Sequence, residues 1–359
     1  MIFLVTILLL CFLAVDLLVL ALFVFNHKKY QPTQQIMPKV SILLAAKDEE
    51  ATISRCLDSL LKLSYPKDRL EILIGNDMSS DDTLSILKTY EKDYEQLSVF
   101  DINECVNEQR GKANVLAQLA HQSKGEYFLI TDADMELPKD WVQHMLSALD
   151  EKTGMAIGVT HVINDRMQDL DWLYGLGMIK VVTDLGYPMT GMGNNMIITK
   201  EAYKSVGGYE ALPFSVTEDF ELFKHMKQKG YQCAHVYQKE VLGKTLPIKG
   251  FMNLLNQRKR WMKGAAQLPL IMLFLLCLQP GFYVGIIMMF ILLPKVALIL
   301  LALKMTLRFL FMTSTRRRLN IRYRFMSVLF YELYGFCLVV ASGVYYMLPT
   351  KVVWKGREY

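Results

Sequence analysis

The chain has 359 residues, of which 52% are hydrophobic and 21% are charged. This apolar content excludes a disordered or low-complexity protein, and the charged fraction excludes a chain made only of membrane spans. The formal net charge of +5 is too small to indicate nucleic-acid binding. The six cysteines form no C-x-x-C pair and indicate neither a zinc site nor a disulfide framework. We therefore expect a polar domain in a reducing compartment, joined to segments that lie in lipid.

Residues 1–25 form the first predicted element, an apolar run with Asp16 as its one charged residue. A helix of this length crosses a hydrocarbon core of about 30 Å. No basic residue precedes the run and no A-x-A site follows it, so it predicts a membrane anchor rather than a cleavable signal peptide. Lys28 and Lys29 predict that the next segment is cytoplasmic, and we expect Asp16 to face another span or to make a polar contact in the helix bundle.

Residues 38–263 form the predicted polar domain. Short apolar runs at 40–45, 71–74, 97–100 and 127–130 are separated by helical patterns at 49–63, 81–90 and 112–123. This alternation predicts βαβ units and a mostly parallel sheet. Ligands bind such sheets at the carboxyl ends of the strands, so the residues directly after each apolar run are candidates for a site.

Acidic residues occupy these positions. Asp77 follows the second run, and Asp132 and Asp134 follow the fourth. The spacing of Asp132 and Asp134 puts both carboxylates on the same side of an extended backbone, and such oxygen ligands suit Mg²⁺ or Mn²⁺ when substrate phosphates complete the coordination. The alternative is an acidic loop that caps a helix beginning at Pro138.

Near the end of the polar domain, Gln257, Arg260 and Trp261 are spaced to share one face of a helix. A guanidinium suits a diphosphate, and an indole suits the face of a sugar. The basic residues Arg258, Lys259 and Lys263 equally describe a helix at an anionic lipid surface. The two interpretations are compatible because the run adjoins the next apolar segment.

Residues 265–348 form the predicted membrane segment, with about three helices. A turn signal at 279–281, with Pro294 and Lys295 as further interruptions, divides its first part into spans near 265–283 and 285–305, and 326–348 is the last span. The Arg-rich loop 308–324 has no acidic residue and indicates the cytoplasmic side. By counting spans, the short basic tail 349–359 falls outside, although its basic residues favour the inside.

The polar domain carries short motifs in a recognisable order. They are Ser41–Glu50, Asn76–Asp81, Arg110–Ala113, Asp132–Asp134, Thr217–Asp219 and Gln257–Trp261. Over about residues 38–263 the chain thereby resembles the family 2 glycosyltransferases, membrane-integral inverting enzymes that use sugar nucleotides and have a GT-A fold. Three positions depart from the family pattern: Ala45 stands for the usual proline, Asp48 for asparagine, and Asn76 for the first aspartate of its motif.

The resemblance implies a role for each motif. The nucleotide-sugar contacts would be Ala46, Glu49, Asp77, Lys112, Asp132, Gln257, Arg260 and Trp261. Asp132 and Asp134 would hold the divalent ion, which stabilises the diphosphate leaving group. Asp219 would be the general base, with Glu218 as its neighbour.

Simpler roles remain open for several of these residues. Asp77 suits a turn, and Lys112 suits the solvated start of a helix. Glu218 and Asp219 suit a helix N-terminus, where acidic side chains are favourable; this placement does not conflict with catalysis.

The sequence thus predicts an α/β GT-A domain in the cytoplasm, carried by helices in the inner or plasma membrane. The predicted activity is a metal-dependent, inverting hexosyl transfer from a UDP-sugar. About four spans are few for a polymer channel, so we favour a membrane lipid or lipid-linked acceptor. The alternatives are extension of an extracellular polysaccharide and a catalytically silent sugar-nucleotide-binding module.

Overall fold

The computed structural model describes residues 2–32, 37–322, 325–351, 353–354 and 357–358, and within these ranges it does not describe the side chains of 271, 274–280, 353–354 and 357. A seven-stranded sheet forms the centre of the polar domain, with strand order β3-β2-β1-β4-β7-β5-β8. Two further strands, β6 and β9, pair in parallel beside it. The strands are β1 (Val40–Ala46), β2 (Leu70–Asn76), β3 (Leu97–Asp101), β4 (Tyr127–Asp132), β5 (Thr153–Ile157), β6 (Val159–Val162), β7 (Asn195–Thr199), β8 (Gln232–His235) and β9 (Leu242–Thr245).

The predicted mostly parallel sheet is confirmed. β1 pairs in parallel with β2 and with β4, and β2 pairs in parallel with β3. β7 runs antiparallel to both β4 and β5. The carboxyl ends of β1, β2 and β4 therefore meet at one edge of the sheet.

Helices cover both faces of the sheet and extend from it. They are α1 (Ile2–Phe25), α2 (Ile53–Leu61), α3 (Thr83–Asp93), α4 (Gly111–Gln122), α5 (Trp141–Leu146), α6 (Arg166–Asp184), α7 (Lys200–Ser205), α8 (Glu218–Gln228), α9 (Phe251–Ala265), α10 (Leu270–Leu292), α11 (Pro294–Leu319) and α12 (Phe325–Met347). The helix expected from residue 49 begins at Ile53, because the residues before it form a loop in which Asp48 has a φ of 50°.

Alternate residues of the central strands pack into two separate cores. Ile42 and Leu44 of β1 belong to a buried cluster with Leu57 of α2. Leu43 points to the opposite face and joins Ile130 and Leu116 in a second cluster on the α4 side. The strands are therefore buried on both faces, as the continuous apolar runs predict.

The membrane segment differs from the sequence prediction at two places. Residues 279–281, expected to form a turn, lie inside α10, and the helix break falls at Leu293, where Pro294 begins α11. Residues 308–324, expected to form a loop, are helical as far as Leu319, where Asn320 ends the helix in a left-handed conformation with a φ of 56°. Arg324 lies outside the described residues. Apolar residues follow Arg308, and α11 continues to Leu319. Counting arginines alone therefore predicts an end of the span that is too early.

Three helices, α1, α11 and α12, are long and apolar enough to cross a membrane, judged by length and composition over the described residues. Asp16 of α1 forms an ion pair with Lys304 of α11, at 2.6 Å, as expected for a charge that faces another helix. Arg318 donates to the carbonyl oxygens of Phe23 and Val24, at 2.6 and 3.1 Å, and so caps the end of α1. One of the predicted topology signals is therefore also a helix-capping contact.

The tail is described only in part. Val353–Trp354 (β10) pairs antiparallel with Arg357–Glu358 (β11), and Lys351 forms an ion pair with Glu358 at 2.9 Å. Lys355 lies outside the described residues.

Candidate active site

A cavity of about 580 Å³ opens at the carboxyl ends of β1, β2 and β4. The structure brings all eleven residues singled out in the sequence to its lining: Ala46, Glu49, Asp77, Lys112, Asp132, Asp134, Glu218, Asp219, Gln257, Arg260 and Trp261. Their convergence from six separate segments reflects the sheet order, which places three strand ends side by side.

The loops after β1 and β2 are tied to one another. The backbone N–H of Asp77 donates to the Ala46 carbonyl at 2.8 Å, and Lys47 Nζ donates to the Asp77 carbonyl at 3.2 Å. Asp48 accepts from the backbone N–H of Ser80 at 2.7 Å, and this hydrogen bond lowers the pKa of the Asp48 carboxyl. The aspartate that stands for the usual asparagine therefore links the two loops through an ionised side chain.

Asn76 also has a physical reason to depart from the family pattern. Its Nδ2 donates to Asp101 Oδ1, at the end of β3, at 2.8 Å. An aspartate at position 76 would put two carboxylates at this distance, where like charges repel. Asn76 is buried and does not line the cavity.

Lys112 joins the donor-side and acceptor-side carboxylates. Its Nζ lies 2.5 Å from Asp132 Oδ1 and 3.5 Å from Glu218 Oε1, and it donates to the Gly193 carbonyl at 2.9 Å. Burial opposes the ammonium charge, but Asp132, Glu218 and Asp219 outweigh burial and raise the pKa of Lys112. Lys112 is therefore a fixed cation within the cavity: it lies in the first turn of α4, as the helix-start interpretation expects, but its ammonium is held by carboxylates.

Glu218 and Asp219 are the first two residues of α8 and have different surroundings. Burial raises the pKa of Glu218, Lys112 opposes this rise, and Asp219 adds to it. Asp219 Oδ2 accepts from the backbone N–H of Gly193 at 2.7 Å, and Oδ1 accepts from that of Phe220 at 2.8 Å. Each carboxylate oxygen has two lone pairs, so these bonds orient Asp219 and still leave it able to accept a proton.

Gly193 belongs to the run at 191–193, which resembles the acceptor-side loop of the family 2 glycosyltransferases, and its backbone lies against the carboxylate cluster. A Cβ at this position would lie 2.9 Å from Lys112 Nζ and 3.3 Å from Asp219 Cβ. The G-M-G run at 191–193 does not have the pattern of a dinucleotide fingerprint. Its physical role is the close approach of backbone to the carboxylate cluster.

Asp132 and Asp134 offer hard oxygen ligands at the mouth of β4. The Asp132 side chain is 41% exposed into the cavity, and Asp134 Oδ2 accepts from Thr245 Oγ1 at 2.8 Å. In the described ranges, no three His, Cys, Asp or Glu side chains form a group that could hold a metal ion. The two carboxylates fit a Mg²⁺ or Mn²⁺ ion that takes its remaining ligands from phosphates and water. The helix-capping alternative is wrong, since α5 begins at Trp141 with Asp140 as its N-cap residue.

One face of α9 forms the opposite wall of the cavity. Gln257 is 8% exposed, and its Oε1 accepts no hydrogen bond from the part of the chain that the structure describes. Arg260 Nη1 donates to the Val216 carbonyl at 3.3 Å. The i, i+3, i+4 spacing therefore places Gln257, Arg260 and Trp261 together, as predicted.

Trp261 is held by Arg258, from the same motif, and by Trp172, which belongs to none of the motifs. The Arg258 guanidinium lies 4.3 Å from the centre of its ring, and Trp172 meets the ring edge-to-face at 5.0 Å. Arg258 Nη2 in turn lies 2.6 Å from Asp171 Oδ2. Asp171 and Trp172 belong to α6, for which the sequence analysis predicted no role.

α6 also connects the cavity to the membrane helices. Tyr174 lines the cavity, and the Arg308 guanidinium of α11 lies 3.9 Å from the centre of its ring. Leu176 and Ile179 on α6 and Leu268 after α9 add an apolar wall to the cavity. The polar strand-end pocket thus continues toward the apolar part of the molecule.

Comparison with known proteins gives a family and a fold. The family model described as "Glycosyl transferase family 21" matches residues 1–359. A beta-monoglucosyldiacylglycerol synthase from Trichormus variabilis is 29% identical over 252 residues, which cover 67% of this chain and 52% of that protein. A poly-beta-1,6-N-acetyl-D-glucosamine synthase from Staphylococcus epidermidis is 30% identical over 234 residues, covering 63% and 54%. The chain therefore spans about half the length of the curated relatives it matches.

Among solved structures, a mannosyltransferase from Pyrobaculum calidifontis in complex with GDP-Man and Mn²⁺ matches with a TM-score of 0.58 and 17% identity. The match covers 92% of this chain and 99% of that one. At this identity the likeness shows the fold, and the predicted GT-A architecture is confirmed. The motif resemblance to glycosyltransferases is likewise confirmed, with family 21 as the family whose model spans the chain.

Proposed function

The chain belongs to glycosyl transferase family 21, and from this premise we propose that it transfers a hexose from a UDP-sugar to a membrane lipid or lipid-linked acceptor. The observation that carries the proposal is the Lys112 ammonium, which joins Asp132 on the donor side to Glu218 beside Asp219. Donor-binding and proton-accepting carboxylates thus share one cavity, and that cavity borders the membrane helices through Tyr174.

The donor would lie along the ends of β1, β2 and β4. Asp77, Ala46 and Glu49 would hold the nucleoside, while Lys112 and Arg260 provide positive charge toward the diphosphate. Asp132 and Asp134 would hold Mg²⁺ or Mn²⁺, which supplies charge neutralisation of the leaving UDP. Support for the metal comes from the all-oxygen donor pair and from the Mn²⁺ in the Pyrobaculum calidifontis neighbour.

Asp219 would act as the base. It would take the proton of the acceptor hydroxyl onto a carboxylate oxygen as that hydroxyl attacks the anomeric carbon and the bond to UDP breaks. The hydrogen bonds from Gly193 and Phe220 fix the orientation of Asp219 before the acceptor arrives. A single direct displacement inverts the anomeric centre.

Glu218 lies next to the proposed base and would influence the charge around it. Its ion pair with Lys112 and its raised pKa set the charge around Asp219. Gln257 and Trp261 would contact the sugar, the amide through its available Oε1 and the indole through its face.

The apolar wall favours a lipid acceptor. Leu176, Ile179 and Leu268 line the same cavity as the carboxylates, and Arg308 of α11 contacts Tyr174 in that lining, so a water-soluble donor and a bilayer-held acceptor can meet there. The name of the Trichormus variabilis relative describes transfer to a diacylglycerol lipid. We place the catalytic domain on the cytoplasmic side of the inner or plasma membrane, since Lys28 and Lys29 follow α1.

A second candidate is elongation of an extracellular polysaccharide, favoured by the Staphylococcus epidermidis relative. The two activities differ in product. A lipid acceptor gives one sugar, or a few, on an organic-extractable molecule, whereas a synthase gives a polymer that stays in the aqueous phase.

The test is transfer by the purified full chain in detergent, with radiolabelled UDP-sugars, Mn²⁺ and a membrane lipid extract. We expect label in one organic-extractable product, whose mass identifies both sugar and acceptor, and we expect chelation of divalent ions to abolish transfer. A silent binding module would bind UDP-sugar and release no label from the nucleotide, and a polysaccharide synthase would leave its label in the aqueous phase.

A further inference from the structure

α12 is attached to the catalytic domain near both of its ends. Toward its start, Tyr331 Oη donates to Asp171 Oδ1 of α6 at 3.1 Å. At its end, Lys259 Nζ of α9 donates to the Leu348 carbonyl at 2.7 Å and to Thr350 Oγ1 at 2.8 Å.

The two attachments lead to adjacent residues of α9. Asp171 binds Arg258, at 2.6 Å, and Arg258 is next to Lys259 in the chain. Between the two attachments, Leu338 packs against Leu254 and Leu255 of the same helix. α12 is therefore held at Leu338 and Leu348 by a short stretch of α9, and at Tyr331 by α6, whose Asp171 binds the same stretch through Arg258.

This arrangement conflicts with a perpendicular crossing. Tyr331 and Leu348 are separated by about 25 Å of helix, and a spanning helix places such points near opposite faces of a core about 30 Å thick. Arg258 and Lys259 would then have to reach both faces from adjacent positions, or lie as charges within the hydrocarbon, which is costly.

The free face of α12 has the pattern of a helix that lies on a membrane. Most of its exposed residues recur every three or four positions, at Met326, Phe330, Leu333, Cys337, Val340, Val344 and Met347; Phe325, Leu329 and Val339 are also exposed. We call the seven recurring residues the apolar stripe; Leu333 is 67% exposed and Met347 is 84% exposed. The opposite face carries the buried Ser327, Tyr331 and Ser342. One apolar face and one face occupied by protein describe an interfacial helix.

Contacts with the other membrane helices fix the depth of α12. Glu332 lies 3.5 Å from Arg308 of α11 and accepts a hydrogen bond from Tyr283 of α10. Arg308 lies about 21 Å along α11 from its distant end at Pro294. With Pro294 placed at the far surface of a ~30 Å core, this level lies in the leaflet nearer the catalytic domain, about 9 Å below its surface.

We propose that α12 does not cross the membrane but lies in its plane, with the apolar stripe in the acyl chains of the leaflet next to the catalytic domain. α1, α10 and α11 are then the crossing helices, and the tail after Thr350 is on the same side as the catalytic domain. This arrangement removes the conflict between span counting and the basic tail, since Lys351, Lys355 and Arg357 return to the side that basic residues favour.

Protease accessibility tests the side of the tail. The full chain carries three cleavable tags, before Met1, in the exposed loop at Asn107 and after Tyr359, and is assayed in sealed vesicles of each orientation. We expect the tail tag to be cut in the vesicles in which the loop tag is cut. The N-terminal tag should be cut only in vesicles of the other orientation. Cleavage of the tail tag together with the N-terminal tag would overturn the proposal.

Depth measurements test the orientation of the helix independently of the tags. Spin labels are placed singly at Met326, Leu333, Val340 and Met347, which keeps the protein-facing side of α12 intact. An in-plane helix gives similar depths at all four positions from oxygen and nickel accessibility. A crossing helix gives depths that change by about 32 Å from Met326 to Met347, and such a gradient would contradict the proposal.

Discussion

Replacing Lys112 with methionine removes the cation that joins the carboxylates of the cavity and keeps a side chain of similar length. Lys112 Nζ lies 2.5 Å from Asp132 and 3.5 Å from Glu218. At an effective dielectric constant of about 20, Coulomb attraction at these separations is about 7 and about 5 kcal/mol. The cost of burying the ammonium and the 41% exposure of the Asp132 side chain reduce the net value greatly.

We expect Lys112→Met to weaken UDP binding by about thirtyfold, or about 2 kcal/mol, because the uncompensated carboxylates repel the diphosphate. Since Lys112 holds down the pKa of Glu218 against burial, its removal raises that pKa further. Glu218 in the variant therefore takes up its proton at a higher pH than in the wild type, so the UDP affinity of the variant should recover in part as the pH is lowered.

Titration calorimetry with UDP and Mn²⁺ over a series of decreasing pH values measures both effects, and Lys112→Arg is the matched control that keeps the charge. Wild-type affinity in Lys112→Met would refute the role of the cation. Weak binding by Lys112→Met that does not recover relative to wild type at any lower pH would refute the coupling to Glu218.

Two further substitutions test contacts that carry no motif. Gly193→Ala places a methyl group 2.9 Å from Lys112 Nζ, and we expect kcat to fall by about tenfold or more while the fold is kept; Gly343→Ala, where a Cβ meets nothing within 4 Å, should have wild-type kinetics. Tyr331→Phe removes the hydrogen bond to Asp171, the residue that binds Arg258 beside Trp261. We expect a higher KM for the acceptor and an unchanged KM for the donor. Tyr346→Phe on the same helix is the control, since the Tyr346 hydroxyl makes no hydrogen bond with the described part of the chain. Equal acceptor KM values in the two variants would show that Tyr331 has no effect on acceptor binding.

The sequence predicts those parts of the site that follow directly from strand ends and helix periodicity. Asp77, Asp132 and Asp134 come directly after apolar runs, and the sheet order brings the strand ends together. Gln257, Arg260 and Trp261 share a helix face because their spacing matches 3.6 residues per turn.

The remaining parts depend on contacts between elements that are distant in sequence. Asp171 has no local pattern that marks it, and its importance comes from Arg258 and Tyr331, which approach it from two other helices. The start of α6 did have a local signal, since the Asp165 side chain accepts from the backbone N–H groups of Met167 and Gln168. The turn expected at 279–281 is wrong, because α10 continues through it; the break falls before Pro294, which the sequence marked as a further interruption.

The most direct test of the proposed mechanism is single-turnover transfer of label from UDP-sugar to lipid by Asp219→Asn. This change keeps the shape of the side chain and removes its ability to take the acceptor proton. We predict a rate about 10²–10⁴ times lower than wild type, with UDP affinity unchanged and wild-type transfer in Asp93→Asn, an exposed residue on α3. Transfer by Asp219→Asn at the wild-type rate would contradict the account.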